Sequence, residues 1–154
     1  MKLLVKHFVR TTEEYQLNIF LILIEVYKFH LADDKSDQLF ALNFDFHQEN
    51  ILLCLIALQS KNSEQSIVAL ILANQIVKLE LTVALFLEQT SFTKVTKILL
   101  KSRQNELKVG FAQLILAMLK TSHGNQVAHK LLGDNLFDLI LECLSSSDTI
   151  LFVE

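Results

Sequence analysis

Apolar positions along this chain fall into blocks of helical length, separated by short polar breaks, and the blocks recur. ENILLCLIALQS (49–60) is followed by KNSEQ and then by SIVALILANQIVK. SFTKVTKILLKS (91–102) is followed by RQNE and LKVGFAQLILAMLK, and DNLFDLILECLS (134–145) by SSD and TILFVE. The first ten residues, MKLLVKHFVR, then TTEE and YQLNIFLILIEVYKFH, repeat the order of a shorter and a longer apolar block. Between each longer block and the next shorter one lies a brief helical stretch: DKSDQLFAL, LELTVALFLE and NQVAHKLL. Apolar runs spaced for helical faces and broken only by polar corners predict helices throughout.

The breaks set a period. Ser60 and Ser102 are 42 residues apart and Ser102 and Ser145 are 43, whereas Arg10 and Ser60 are 50 apart, the excess falling in the acidic ADDKSDQ. Self-similarity at such a spacing is the mark of stacked repeats. The expected architecture is therefore all-α, a right-handed α-solenoid of three-helix repeats with a period of about 42. It divides into a partial repeat over 1–33, repeats over 34–79 and 80–121, and a partial repeat over 122–154.

A three-helix repeat of this length resembles the armadillo repeat, within the armadillo/HEAT class. QVAHKLLGDNLFDLILECLSSSD is the stretch most similar to that family, and Gly133 stands where the family places a glycine. A sharp turn between two helices favours a residue that tolerates positive φ. ALILANQI (69–76) resembles the family's third helix, whose groove face carries a Trp and, four residues on, an Asn; here the pair is Leu70 and Asn74. The equivalent positions are Phe20 and Ile24 in the preceding long block and Ala112 and Leu116 in the following one. The resemblance implies a concave groove that holds an extended peptide or a partner's helix. The chain contains no Trp and one such Asn, so an apolar strip of this kind suits an amphipathic helix better than a polar peptide. Neither end reads as a polar cap, which implies a longer array or ends covered by another chain.

Composition agrees with the helical reading. The 154 residues include 3 Gly and no Pro, too few for turn-rich β architectures, while 51% apolar and 20% charged residues exclude disorder. A mean hydropathy of +0.38 raises the membrane question. The strongest runs, 17–24 and 67–77, are closed by Glu25 and Lys28 and by Lys78 and Glu80, short of the roughly 20 residues a bilayer requires. Nothing at the N-terminus has the form of a signal peptide. Cys54 and Cys143 lie far apart in apolar runs and read as buried free thiols of a reducing compartment, cytoplasmic or nuclear.

No constellation of catalytic or metal-ligating residues emerges. His7, His30, His47, His123 and His129 lack a ligand spacing, and His123 and His129 flank a helix start around Gly124. Asp33, Asp34 and Asp37 lack the glycine and closing Glu of a calcium loop, and Ser36 or Asp37 serves as a helix cap. HGNQVAHKLL is similar to the core of a Pumilio-type RNA-binding repeat, but it occurs once and at the wrong period. The chain reads as non-enzymatic, with no cofactor and no metal.

Charge is uneven. The net charge is −3, yet residues 91–130 hold Lys94, Lys97, Lys101, Arg103, Lys108, Lys120 and Lys130 against Glu106 alone, leaving +6 there and −9 elsewhere. Lys94, Lys97 and Lys101 stripe one helix face, with Val95, Ile98 and Leu99 expected to point into the core. The expected function is an interaction scaffold that binds a protein partner, through a groove face including Leu70, Asn74 and Leu116 or through the basic ridge of Lys94, Lys97 and Lys101. Two alternatives stand beside it: self-association through the uncapped ends as part of a larger assembly, and nucleic acid on the ridge.

Overall fold

The computed structural model describes residues 3–32, 38–134 and 136–145. The acidic loop with Asp33, Asp34, Ser36 and Asp37, the break from Ser146 to Asp148, the segment TILFVE and the Cys143 side chain lie outside the described residues. Among the described residues the chain is entirely helical, without a strand. Its helices are α1 (Leu3–Arg10), α2 (Glu13–Leu31), α3 (Gln38–Ala41), α4 (Phe44–Leu58) and α5 (Ser63–Ile76). There follow α6 (Leu81–Glu88), α7 (Phe92–Leu100), α8 (Asn105–Leu119), α9 (Gly124–Gly133) and α10 (Leu136–Ser145).

Short polar side chains fix where several helices begin. Thr12, Asn43 and Asn62 each accept a hydrogen bond from the backbone N–H three residues on, at Tyr15, Phe46 and Gln65. That satisfies one of the amide donors a helix start leaves unpaired. The Asn43 cap starts α4 at Phe44, five residues before the block that begins at Glu49. The extra turn carries Phe46 and His47 into the core region.

The long helices α2, α5 and α8 run side by side, with α5 packed against both of the others. Other helices form a second series: α4 packs on α1 and α7, and α7 on α10. α6 packs on α9, and α4 joins α5 and α6 across the series. One continuous apolar core results, with Phe8, Phe20, Ile51, Leu72, Phe86, Phe92, Phe111 and Met118 all fully enclosed. Helices apolar nearly all round, such as α4, α5 and α8, occupy its middle, because only contact on several sides can cover them.

Two glycines have a steric role. A Cβ on Gly110 would lie 3.1 Å from Leu70 Cδ1, so the missing side chain lets α5 and α8 approach. A Cβ on Gly124 would stand 2.2 Å from the Leu119 carbonyl oxygen, so the turn from α8 into α9 requires glycine there. Gly133 corrects the sequence expectation: it closes α9 without a positive φ, and a Cβ would meet nothing within 4 Å. Ile98 is a second correction. It is exposed on α7, while Val95 and Leu99 are buried.

A buried polar chain anchors α3. His47 Nε2 lies 2.7 Å from the Phe40 carbonyl, which can only accept, so Nε2 carries a proton and in the neutral ring Nδ1 is the acceptor. Its Nδ1 then accepts from the Tyr27 hydroxyl at 2.7 Å, and Tyr27 accepts from Asn50 Nδ2 at 3.2 Å. Desolvation lowers the His47 pKa from its usual 6.5, partly opposed by the Phe40 and Ala41 carbonyls. Burial pushes the Tyr27 phenol and the Cys54 thiol well above their ordinary ranges, so both stay neutral.

Candidate functional site

Where α5 and α8 run side by side, a cleft of about 620 Å³ lies between their C-terminal halves. Ile71, Asn74, Gln75, Val77, Lys78 and Glu80 line one wall, and Gln113, Ala117, Lys120 and Thr121 the other. Ile71, Val77 and Ala117 supply its apolar lining, and the remaining side chains are polar or charged. Three amides stand in the walls. Asn74 spends one N–H on the Leu70 carbonyl of its own helix at 2.9 Å, which leaves a second N–H and its Oδ1 for a ligand. Lys78 donates to Gln75 Oε1 at 3.1 Å, and Glu80 accepts from the Ser122 hydroxyl at 2.9 Å, tying the two helix ends together. Lys78 and Lys120 follow the last turns of α5 and α8, where a cation also complements the helix dipole.

The groove face expected from the sequence divides three ways. Asn74 lines the cleft, Leu116 is exposed on α8 but does not line it, and Ala112 is half-buried. Leu70, Phe20 and Ile24 are core residues, with Leu70 only 3% exposed and packed onto Gly110. No partner can touch those three without unfolding the chain. Reasoning from the sequence passed over Ile71, Gln75, Lys78, Gln113 and Lys120. A usable signal existed: Lys78 and Lys120 stand 42 residues apart at the ends of two long apolar blocks, and Lys28 closes the block before them.

Lys94 and Lys97 on α7 and Lys101 at its C-cap are exposed and do not line the cleft. Their field is partly answered by Asp134 at the end of α9. Its carboxylate accepts from the Thr93 hydroxyl and pairs with Lys130 at 3.4 Å. The Thr93 hydrogen bond, then Lys130 and Lys97, hold its pKa below the usual carboxylate value.

Among the described residues no group of three His, Cys, Asp or Glu could hold a metal ion, and no helix is long and apolar enough to cross a membrane. His129 is exposed on α9, and His123 precedes Gly124 without capping the helix. No family model matches the chain, and no match was found among curated proteins or solved structures.

Proposed function

We propose that this chain is an armadillo-like α-solenoid segment and works as a non-enzymatic interaction scaffold. In this reading residues 34–79 and 80–121 are two complete three-helix units flanked by partial ones. α5 and α8 begin 42 residues apart, at Ser63 and Asn105, and α6 and α9 begin 43 apart, at Leu81 and Gly124. Polar ties recur at similar separations, Glu13 with Asn62, Glu80 with Ser122 and Thr93 with Asp134, at 49, 42 and 41 residues. Stacked units of this kind present a long surface built from one helix of each unit.

The observation that carries the binding proposal is the cleft between α5 and α8, lined by apolar side chains, amides and the lysines Lys78 and Lys120. Its volume is in the range that binds a few side chains of a ligand. An amphipathic partner segment fits it, apolar residues on Ile71 and Ala117 and an acidic residue between Lys78 and Lys120. The test is retention of a partner from cell extract by the wild-type chain, by Lys78→Glu/Lys120→Glu and by Lys94→Glu/Lys97→Glu/Lys101→Glu. Loss with the first variant alone supports the cleft. Loss with the second alone transfers the function to the ridge, which carries the second reading, an acidic protein or nucleic acid. Retention by both removes both surfaces.

A further inference from the structure

The three long helices carry the same stripe. On α5 it is Glu64, Ile71 and Lys78; fifty residues earlier, on α2, it is Glu14, Leu21 and Lys28. Forty-two residues later, on α8, it is Glu106, Gln113 and Lys120. A seven-residue step is close to two helical turns, so each triplet lies along one side of its helix, and every one of these residues is exposed. Glu13 bonds to Asn62 where α2 and α5 begin, and Lys78 and Lys120 share the cleft where α5 and α8 end, so the three helices run in one direction. Their stripes therefore form a face with a glutamate row at the helix starts and a lysine row at the helix ends, about 21 Å apart. Between the rows stand Leu21 and Ile71, 48% and 45% exposed. Two cavities border the α5 stripe, one at each end. The cleft described above takes in Ile71 and Lys78; the other, of about 260 Å³, lies between Glu13, Glu14 and Leu17 of α2 and Asn62, Glu64 and Gln65 at the start of α5.

We infer that this face seats one amphipathic helix of a partner protein, laid antiparallel to α5. Its acidic first turn enters the cleft beside Lys78 and Lys120, and a lysine or arginine of its last turn meets Glu14 and Glu64. This rests on the scaffold reading above and adds the partner's secondary structure, direction and charge pattern. A helix that reaches both cavities needs its acid and its base fourteen residues apart, the spacing of Glu64 and Lys78, with an apolar residue midway over Ile71 and Leu21. Direction follows from charge. Helices favour acidic side chains at their start and cations at their end, so the antiparallel arrangement is the one that sets each end on the opposite sign. The same preference explains the sign at each end of α2, α5 and α8, but not the alignment of both rows with an exposed apolar row. Local charges weight the face toward α5: Glu25 pairs with Lys28 at 3.5 Å, whereas Lys78 spends one N–H on the neutral Gln75. Moreover, α5 already has α2 and α8 at its flanks and α4 packed on it, so a further repeat at either end of the array would not cover its stripe.

The probe is a fluorescent helix-forming peptide of about 18 residues, with glutamate, leucine and arginine in that order at the seven-residue spacing of the stripe. Fluorescence anisotropy reads its binding to the whole chain, wild type beside Lys78→Glu/Lys120→Glu and Glu14→Lys/Glu64→Lys. All four positions are exposed, and circular dichroism checks the helicity of each variant. If Glu14→Lys/Glu64→Lys loses helicity, Glu64→Gln probes the same end. Each double variant is expected to weaken binding at least about fivefold. Exchanging the peptide's arginine for glutamate should restore binding to Glu14→Lys/Glu64→Lys alone, and exchanging its glutamate for arginine should restore binding to Lys78→Glu/Lys120→Glu alone. Weakening by the lysine variant without the glutamate variant leaves the cleft reading standing and overturns the helix laid along α5. Indifference to both overturns both. A wild type that does not bind the probe overturns the inference, while the extract experiment above still judges the cleft by itself. Sedimentation showing a dimer of the chain alone, abolished by Ile71→Asp, would give the face to a second copy and overturn the partner helix as well.

Discussion

Single side chains set the sharpest limits on this fold. Gly124 and Gly133 look equivalent in sequence, one opening and one closing the same helix, but only Gly124 faces a backbone carbonyl at a distance no Cβ can occupy. Gly124→Ala should lower the unfolding free energy by about 1–3 kcal/mol, within the usual span for a strained position. Gly133→Ala should raise it by about 0.4–1 kcal/mol, because alanine restricts the unfolded chain at no native cost. Urea unfolding of the two variants checks both signs. His47 supplies a pH dependence. The folded chain holds it neutral, below its usual 6.5, so its contribution is complete above that pH and is lost as pH falls through it toward the lower folded value. Thermal unfolding should show stability declining with acidification, and His47→Gln should flatten that decline while lowering stability at neutral pH. Tyr27→Phe should cost about 1–3 kcal/mol, since it strands both the His47 acceptor and the Asn50 donor in the core.

Between neighbouring helices, the sequence was legible where polarity was lopsided and opaque where it was not. Among the described residues, the long blocks, their breaks and the brief connecting helices correspond to α1 through α10 within a few residues. The exception is α4, whose extra turn depends on Asn43, a cap that no periodicity marks. The site was harder. α5 is apolar on almost every side, so Leu70 and Ile71, adjacent in sequence and equally hydrophobic, look interchangeable; one is sealed beneath α8 and the other lines the cleft. Which side of such a helix is covered depends on neighbours distant in sequence. Leu70→Ala should therefore lose about 2–5 kcal/mol, as deletion of a core leucine does, while Ile71→Ala should leave the melting temperature nearly unchanged. A partner retained by Ile71→Ala and Lys78→Glu/Lys120→Glu alike would end the case for the cleft.

For the molecule as a whole, the placement of α5 between α2 and α8 carries a consequence for how the protein comes apart. A helix held from both flanks cannot open until a flank has left, whereas a helix held from one side can peel away alone. Exchange of backbone amide hydrogens with deuterated solvent should therefore be graded along the chain. It should be slowest at the centre of α5 and in the adjoining turns of α4, and progressively faster toward α1 and toward α10.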